Sequence, residues 1–286
     1  MFLSAGLGAG LLGVAGGYTT VVEPLLRRRV VRYAPSIPAW DGGPELRIVA
    51  LADIHMAPPF MTLARLEEIV AAANALRPDL VVLLGDYAEA HPLITHAVSP
   101  VETAAVLSSL AAPLGRWAVM GNHDWASDPA ARAARAPRTH WHEAFEERGI
   151  EVLSNRAQRL DWKGRPFWIA GLESQLAWRG GAHDVAATLA QITDDAPALL
   201  LAHEPDVFAE GSTRFALQMS GHTHGGQVRL MGRAPIVPSA YGERYAYGHV
   251  VEDDRHLLVS AGLGCSRLPV RFGMPPEILQ VELGVG

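Results

Sequence analysis

The feature that most constrains this chain is a set of short polar segments, each directly after an apolar run with the character of a buried strand. They are Asp53-Ile54-His55, Gly85-Asp86, Gly121-Asn122-His123-Asp124 and Gly221-His222-Thr223-His224-Gly225-Gly226. A fifth position, His203, follows the apolar residues 199–202 in the same way. Carboxylates and imidazoles are costly to leave unpaired near a core. Their repeated placement at strand ends therefore indicates a shared polar site.

The apolar runs between these segments predict alternating strands and helices. Residues 46–52, 80–84 and 117–120 predict three strands, with helices at 62–77, capped by Thr62, and at 101–111. This βαβαβ pattern is typical of a largely parallel sheet. After residue 150 shorter strands are predicted at 152–153, 167–170, 199–202, 216–219, 228–230, 256–260 and 278–281. We therefore expect an α/β fold in which a second sheet packs on the first.

The side chains in the polar segments are types that bind divalent cations. Carboxylate oxygens and imidazole nitrogens suit Mn, Fe and Zn, and one carboxylate can bridge two ions. Two cations about 3.5–4 Å apart share a water, lower its pKa and present hydroxide in line with a phosphorus atom. The single cysteine, Cys265, excludes an intrachain disulfide and a thiolate metal cluster. Each segment alone is a weak signal, whereas the ordered set indicates a dinuclear metal site.

The order D-x-H, G-D, G-N-H-D, H, G-H-x-H resembles that of the calcineurin-like metallophosphoesterases, from about residue 46 to the C-terminus. Residues 121–125 and 220–228 are further similar to a bacterial membrane-associated branch that includes YaeI-like and YkuE-like phosphodiesterases. The resemblance implies a four-layer αββα sandwich of two mixed sheets flanked by helices. It also implies hydrolysis of a phosphodiester or pyrophosphate by a hydroxide that bridges two metal ions.

The same resemblance implies a role for each motif residue. The first metal ion would be held by Asp53, His55, Asp86 and His224. The second would be held by Asp86, Asn122, His203 and His222, with Asp86 bridging the two. His123 would stabilise the transition state and protonate the leaving oxygen, while Asp124 would orient its imidazole and favour the protonated form. The ligands suit Mn, Fe or Zn, so the identity of the two ions stays open.

The N-terminal segment raises the question of a membrane. Residues 2–22 carry no charged side chain, and as a helix they would extend about 31 Å, one hydrocarbon thickness. Four arginines follow this run and no basic residue precedes it; they are Arg27, Arg28, Arg29 and Arg32. This asymmetry favours a cytoplasmic location for the domain that follows. The arginines would also suit contact with anionic lipid headgroups. A membrane anchor, a peripheral arm and a cleaved signal peptide are all consistent with this pattern.

We accordingly divide the chain into an apolar arm or anchor (residues 1–22), a basic then Pro/Gly-rich linker (23–45) and a catalytic domain (46–286). The expected location is the inner membrane, with the catalytic domain on its cytoplasmic side. Residues 126–145 are either a cap over the substrate or an ordinary surface helix.

The expected partners are a phosphate-containing small molecule or lipid and a membrane surface. A formal net charge of −6 argues against nucleic acid. The sharpest substrate hypothesis is UDP-2,3-diacylglucosamine, through resemblance to the pyrophosphatase that cleaves it in lipid A synthesis. The alternatives are a broad phosphodiesterase or phosphomonoesterase without a lipid role, and a non-catalytic metal-binding scaffold. The oligomeric state is not indicated by the sequence.

Overall fold

The computed structural model describes residues 16–284, and six strands form its first sheet. Four of them run parallel, β2 (Leu46–Leu51), β3 (Leu80–Leu83), β4 (Arg116–Ala118) and β5 (Glu151–Val152). The last strand of the chain, β12 (Glu277–Leu283), lies antiparallel beside β2. It pairs on its other side with the parallel edge strand β1 (Arg29–Tyr33).

The second sheet is also mixed. Its strand order is β10 (Gly248–Glu252), β11 (Arg255–Val259), β9 (Leu217–Ser220), β8 (Ala198–Leu201), β7 (Arg165–Gly171) and β6 (Arg156–Trp162). The four central strands are parallel, and the two edge strands run antiparallel to their neighbours.

The helices cover the outer faces of the two sheets. They are α1 (Leu63–Ala75), α2 (Pro100–Leu107), α3 (Asn122–Ala126), α4 (Pro129–Ala134), α5 (His140–Glu146) and α6 (Val185–Leu189). As predicted, Thr62 caps α1, and its hydroxyl accepts a hydrogen bond from the Arg65 amide.

Alternation along the strands divides the apolar side chains between two cores. Val49 and Val81 pack with α1 and α2 on one side of the first sheet, while Ile48 and Val82 pack against the second sheet. On the far side of the second sheet, α6 packs against a smaller apolar cluster. The order helix, sheet, sheet, helix confirms the predicted four-layer sandwich.

Three strands were missed and one was wrongly predicted. Strand β1 lies inside residues 23–45, which we expected to be a linker, so part of that segment belongs to the first sheet. The edge strands β6 and β10 were missed because their exposed faces interrupt the apolar runs. Residues 228–230 form only isolated bridges, to Phe272 and Arg233, and not a sheet strand.

The expected apolar arm falls largely on residues 1–15, outside the described part of the chain. Residues Tyr18–Leu26 form a π-helical segment, and the Glu23 carboxylate accepts a hydrogen bond from the Met274 amide (2.7 Å). Arg29 forms an ion pair with the buried Glu277 (3.0 Å), so it belongs to the fold as well as to the basic cluster. In residues 16–284, no helix combines the length and apolar character needed to cross a membrane.

The topology brings the polar segments together. Asp53 follows β2, Asp86 follows β3 and Gly121 follows β4, while His203 and Gly221 follow β8 and β9 of the second sheet. In open α/β sheets, ligands bind beyond the carboxyl ends of the strands. The two sheets thus place their polar ends at one site.

Candidate metal centre and active site

The structure places the predicted ligands in two adjacent groups. In the first group the ligand atoms of Asp53, His55 and His224 lie within 4.8 Å of one another. In the second, those of Asp86, His203 and His222 do the same. This division is the one that the resemblance implied for two metal ions. Two groups of oxygen and imidazole donors fit a dinuclear site, as expected.

Asp86 lies between the two groups. Its Oδ2 atom is 3.7 Å from Nε2 of His55 and 3.2 Å from Nε2 of His203. Its other oxygen, Oδ1, accepts a hydrogen bond from the His123 amide (2.8 Å). One carboxylate oxygen is therefore fixed by the protein while the other faces imidazoles of both groups, which is the position of a bridging ligand.

Backbone carbonyls orient two of the imidazoles. Nδ1 of His55 contacts the Ala88 carbonyl at 2.8 Å, and Nδ1 of His203 contacts the Leu84 carbonyl at 2.7 Å. A carbonyl only accepts, so each Nδ1 carries a proton, and each Nε2 faces the site, where it offers a lone pair to a metal ion once that nitrogen is deprotonated. Nε2 of His55 also faces Nε2 of His224 at 3.1 Å. A cation bound by these residues would satisfy both lone pairs.

Unpartnered polar atoms show where ligands are needed. Within the described chain, Asp53 Oδ2, Asn122 Oδ1 and His203 Nε2 are buried without a hydrogen-bond partner. Native structures leave few such atoms, because each costs the desolvation free energy of the group. All three belong to predicted ligands, and two divalent ions would satisfy them.

The backbone is strained at the same residues. Five predicted ligands have left-handed φ angles, a region that residues other than glycine rarely adopt. They are Asp53 (51°), His55 (46°), Asp86 (58°), His222 (69°) and His224 (52°). Such strain costs of order 1–3 kcal/mol per residue and concentrates at functional sites. The fold thus holds these side chains at a conformational cost that core packing alone does not explain.

Two motif glycines allow the chain to approach the carboxylates closely. A Cβ atom at Gly121 would overlap the Asp86 carboxylate, and one at Gly221 would lie 2.5 Å from Oδ2 of Asp53. The glycines of the G-N-H-D and G-H-T-H segments are therefore steric requirements of the site.

Burial sets the charge of most of the imidazoles. It lowers the pKa of His55 to about 3, and it lowers the pKa of His222 and of His224 as well. These three rings are neutral at pH 7, the state that binds metal. For His203, burial disfavours the charge, but the adjacent Asp86 carboxylate outweighs burial and raises the pKa well above its usual value. Without metal, His203 therefore holds a proton that a cation displaces.

The carboxylates respond in opposite directions. Burial raises the pKa of Asp53 to about 7, although His203 acts against this shift. Burial also disfavours the charge of Asp86, but the surrounding imidazoles, His203 first, hold its pKa well below the usual range. The bridging position therefore carries a negative charge, which suits a ligand shared by two cations.

His123 lies at the edge of the site. It is half-buried and lines the cleft above the metal groups, and its ring packs edge-on against His55 with 5.1 Å between centroids. It thus faces the space into which a substrate enters.

The hydrogen bonds of Asp124 are made with the backbone. Its carboxylate accepts four backbone hydrogen bonds, from the amides of Gly121 (2.8 Å), Asp86 (2.9 Å), Tyr87 (2.8 Å) and Ala88 (2.9 Å). No hydrogen bond joins this carboxylate to the His123 ring in the described part of the chain, and its predicted role in orienting that ring stays a prediction. Asp124 ties the loop of residues 85–88, which carries Asp86, to the start of α3.

Sequence reasoning missed Arg271. This fully buried guanidinium donates to the carbonyls of Ala261 (2.8 Å) and Met274 (2.9 Å), and its Nη2 is 3.2 Å from Nδ1 of His224. It fixes the loop behind the metal centre. An arginine in a largely apolar loop gives no pattern by which the sequence could have revealed its role.

The metal centre opens into a cavity of about 860 Å³. Asp86, Asn122, His123, His222 and His224 line its floor. Its wall is largely apolar and comes from Leu176 and from residues 226–228, 235–240, 266–268 and 270. Residues 126–145 do not line this cavity, so the surface-helix interpretation of that segment fits better than a substrate cap. Their Trp141 and His142 are buried in the fold.

Comparison with known proteins agrees with this geometry. The family model for calcineurin-like phosphoesterases matches residues 46–226. The metallophosphoesterase YkuE of Bacillus subtilis is 32% identical over 283 residues, covering 97% of this chain and 93% of that protein. The phosphodiesterase YaeI of Escherichia coli is 30% identical over 275 residues, covering 93% of this chain and 92% of that protein.

A solved structure supports the fold. The NAD nucleotidase of Haemophilus influenzae has a TM-score of 0.51 at 17% identity, and the match covers 77% of this chain and 46% of that one. At this identity the likeness concerns architecture only. Together with the family model and the two paired metal-binding groups, the findings show that the chain belongs to the calcineurin-like phosphoesterase family and is a metal-dependent phosphoester hydrolase.

Proposed function

We propose that this hydrolase cleaves a phosphodiester or pyrophosphate in a membrane-associated lipid, and that UDP-2,3-diacylglucosamine is its sharpest candidate substrate. The observation that carries the proposal is the composition of the cleft. Its floor is the polar metal centre, whereas its wall exposes Leu176, Ile236 and Leu268, each at least half exposed. Such a cleft suits a molecule with a phosphate group at one end and acyl chains at the other.

The residues of the site have distinct roles in this proposal. When bound, two divalent cations supply a water of lowered pKa and positive charge for the phosphate oxygens. Asp53, His55 and His224 would hold one cation, while His203, His222 and Asn122 would hold the other, and both would share Asp86. His123 faces the cleft and donates a proton to the leaving oxygen. Water attacks the phosphorus atom, and the bond between phosphorus and the leaving oxygen breaks. The phosphate product keeps the oxygen of the water, and the leaving oxygen takes the proton.

A location at the inner membrane, with the catalytic domain in the cytoplasm, is part of the same proposal. Its support is the uncharged run of residues 2–22 and the arginines that follow. A Danio rerio relative, 29% identical over 83% of this chain and 53% of that protein, is named a transmembrane protein with a metallophosphoesterase domain. The division of the chain into an arm (residues 1–22), a linker (23–45) and a catalytic domain (46–286) remains a prediction. Strand β1 lies inside the predicted linker but pairs with the sheet of the catalytic domain.

The test is release of UMP from UDP-2,3-diacylglucosamine in mixed micelles by Mn²⁺-loaded protein. We expect turnover in the wild type and a loss of about 10²–10⁴-fold in His123→Ala, because general acid catalysis contributes that much. UDP-N-acetylglucosamine, which lacks the acyl chains, is the matched control substrate and should be cleaved poorly. Equal turnover of the two substrates would favour a broad phosphodiesterase whose N-terminal segment only localises it.

A further inference from the structure

Exposed apolar side chains are concentrated beside the mouth of the cleft. We call Leu230, Met231, Ile236, Leu268 and Phe272 the rim patch. All five are exposed, and Met231 is completely so. Single exposed apolar residues are ordinary on a protein surface, but a contiguous group marks an interaction site.

Hydrogen bonds join the two loops of the rim patch into one surface. The Arg229 amide donates to the Phe272 carbonyl (2.7 Å), and the Phe272 amide donates to the Gln227 carbonyl (3.1 Å). The side-chain amide of Gln227 donates to the Leu268 carbonyl (3.0 Å). Ile236 and Leu268 also line the cleft. The rim patch is therefore continuous with the entrance to the metal centre.

Met231 occupies a position that its own backbone disfavours. Leu230 and Arg233 exchange backbone hydrogen bonds of 2.8 and 3.0 Å across a two-residue turn. Met231 and Gly232 have φ angles of 50° and 81°, values that favour Asn-Gly or Asp-Gly at such a turn. Its side chain is fully exposed and gains nothing from packing within the described residues. A fully exposed apolar side chain at the tip of this turn indicates contact with a partner outside the chain.

The N-terminal segment lies against the same loops. The Tyr18 ring packs edge-on against Phe272 with 6.2 Å between centroids, and the Thr19 carbonyl accepts from the Arg271 amide (2.9 Å). In the sequence, the uncharged run that ends here extends back to residue 2. Arg233 and Arg267 are exposed within the two loops and suit anionic headgroups.

We propose that the rim patch and residues 16–26 form one surface that docks on an anionic lipid bilayer and holds the mouth of the cleft at the headgroups. A bilayer matches an apolar tip flanked by arginines, and an apolar run of chain that ends beside that tip. The inference rests on the proposed function for the identity of the substrate, but docking itself requires no turnover.

The experiment is flotation of the full-length, Mn²⁺-loaded protein with vesicles of phosphatidylcholine and phosphatidylglycerol. Met231→Asn removes the apolar tip and suits the left-handed backbone, so misfolding would not explain a loss of binding. We expect about tenfold weaker vesicle binding, and a greater loss when Leu230→Gln is added. Val251→Gln, at a half-exposed valine on β10, is the matched control and should bind as the wild type does.

Two readouts separate docking from chemistry. Neither Leu230 nor Met231 lines the cleft, so turnover of a soluble aryl phosphodiester should be unchanged in these variants. Vesicle binding by the double variant equal to that of the wild type would overturn the docking proposal. Weakened binding by the variants, with no UMP release by the wild type, would support docking and contradict the proposed substrate.

Discussion

Asp124→Asn tests how the fold positions the bridging carboxylate. Each oxygen of Asp124 accepts two backbone N–H groups, so an amide nitrogen in place of one oxygen leaves two buried donors without an acceptor. A hydrogen bond to a charged group contributes about 1.5–3 kcal/mol, so the loss is about 3–6 kcal/mol. The melting temperature of the metal-free protein should fall by about 10 °C.

The same substitution should weaken metal binding, because the loop that carries Asp86 is no longer held to α3. Residues that orient metal ligands typically contribute about 10–100-fold in affinity, and we expect a change of that size. The assay is Mn²⁺ titration of metal-stripped protein, read out by hydrolysis of a soluble aryl phosphodiester. With saturating metal, the pH–rate profile should keep its shape.

A matched control is Asp128→Asn. Asp128 also accepts backbone N–H groups, from Ala131 (3.1 Å) and His140 (3.2 Å), but it caps a surface helix. Because the two amides bond to different oxygens, the amide nitrogen of Asn leaves one of them without an acceptor, which should lower stability by about 1 kcal/mol without changing metal affinity. Unchanged metal affinity in Asp124→Asn, together with a shifted pH–rate profile, would refute our interpretation and support a direct role toward His123.

Three further perturbations are predicted. Gly121→Ala should abolish binding of one Mn²⁺ by calorimetry, because the new Cβ overlaps the Asp86 carboxylate; two bound ions would contradict this. Because the pKa of His203 is raised without metal and that of Asp53 is about 7, Mn²⁺ binding should release at least one proton at neutral pH and weaken at least tenfold per pH unit below pH 7, and an affinity independent of pH would contradict this. Arg29→Met leaves the buried Glu277 without its cation and should cost about 1–2 kcal/mol, measured by urea unfolding, since Arg29 is partly exposed; an unchanged midpoint would exclude this contribution.

Much of the fold could be predicted because buried parallel strands are nearly continuous apolar runs. The runs that end at Asp53 and Asp86 are of this kind, and the structure has β2 and β3 there within one residue of the prediction. Edge strands have no such signal. The sequence of β1 is RVVRY, in which only two adjacent valines are apolar between arginines. We therefore assigned this segment to the linker.

The residue types of the site were visible in the sequence, but their geometry was not. The sequence predicted which side chains lie together, because each polar motif directly follows a predicted strand and strand ends meet at one edge of a parallel sheet. The left-handed backbone at Asp86 and His222 depends on loop closure, to which neither residue type points. The contacts of Asp124 and Arg271 are likewise set by tertiary structure, because their partners are backbone groups. The rim patch joins residues about forty positions apart and has no local pattern.

The most direct measurement of the central claim is metal stoichiometry combined with turnover of an aryl phosphodiester, after metal removal and resupply of Mn²⁺. Wild type should bind about two ions and recover activity, because two donor groups share Asp86. Asp86→Ala should bind fewer ions and stay inactive, whereas His123→Ala should bind both and lose about 10²–10⁴-fold in rate. Full turnover by the wild type with one ion bound, or by Asp86→Ala, would contradict the dinuclear site.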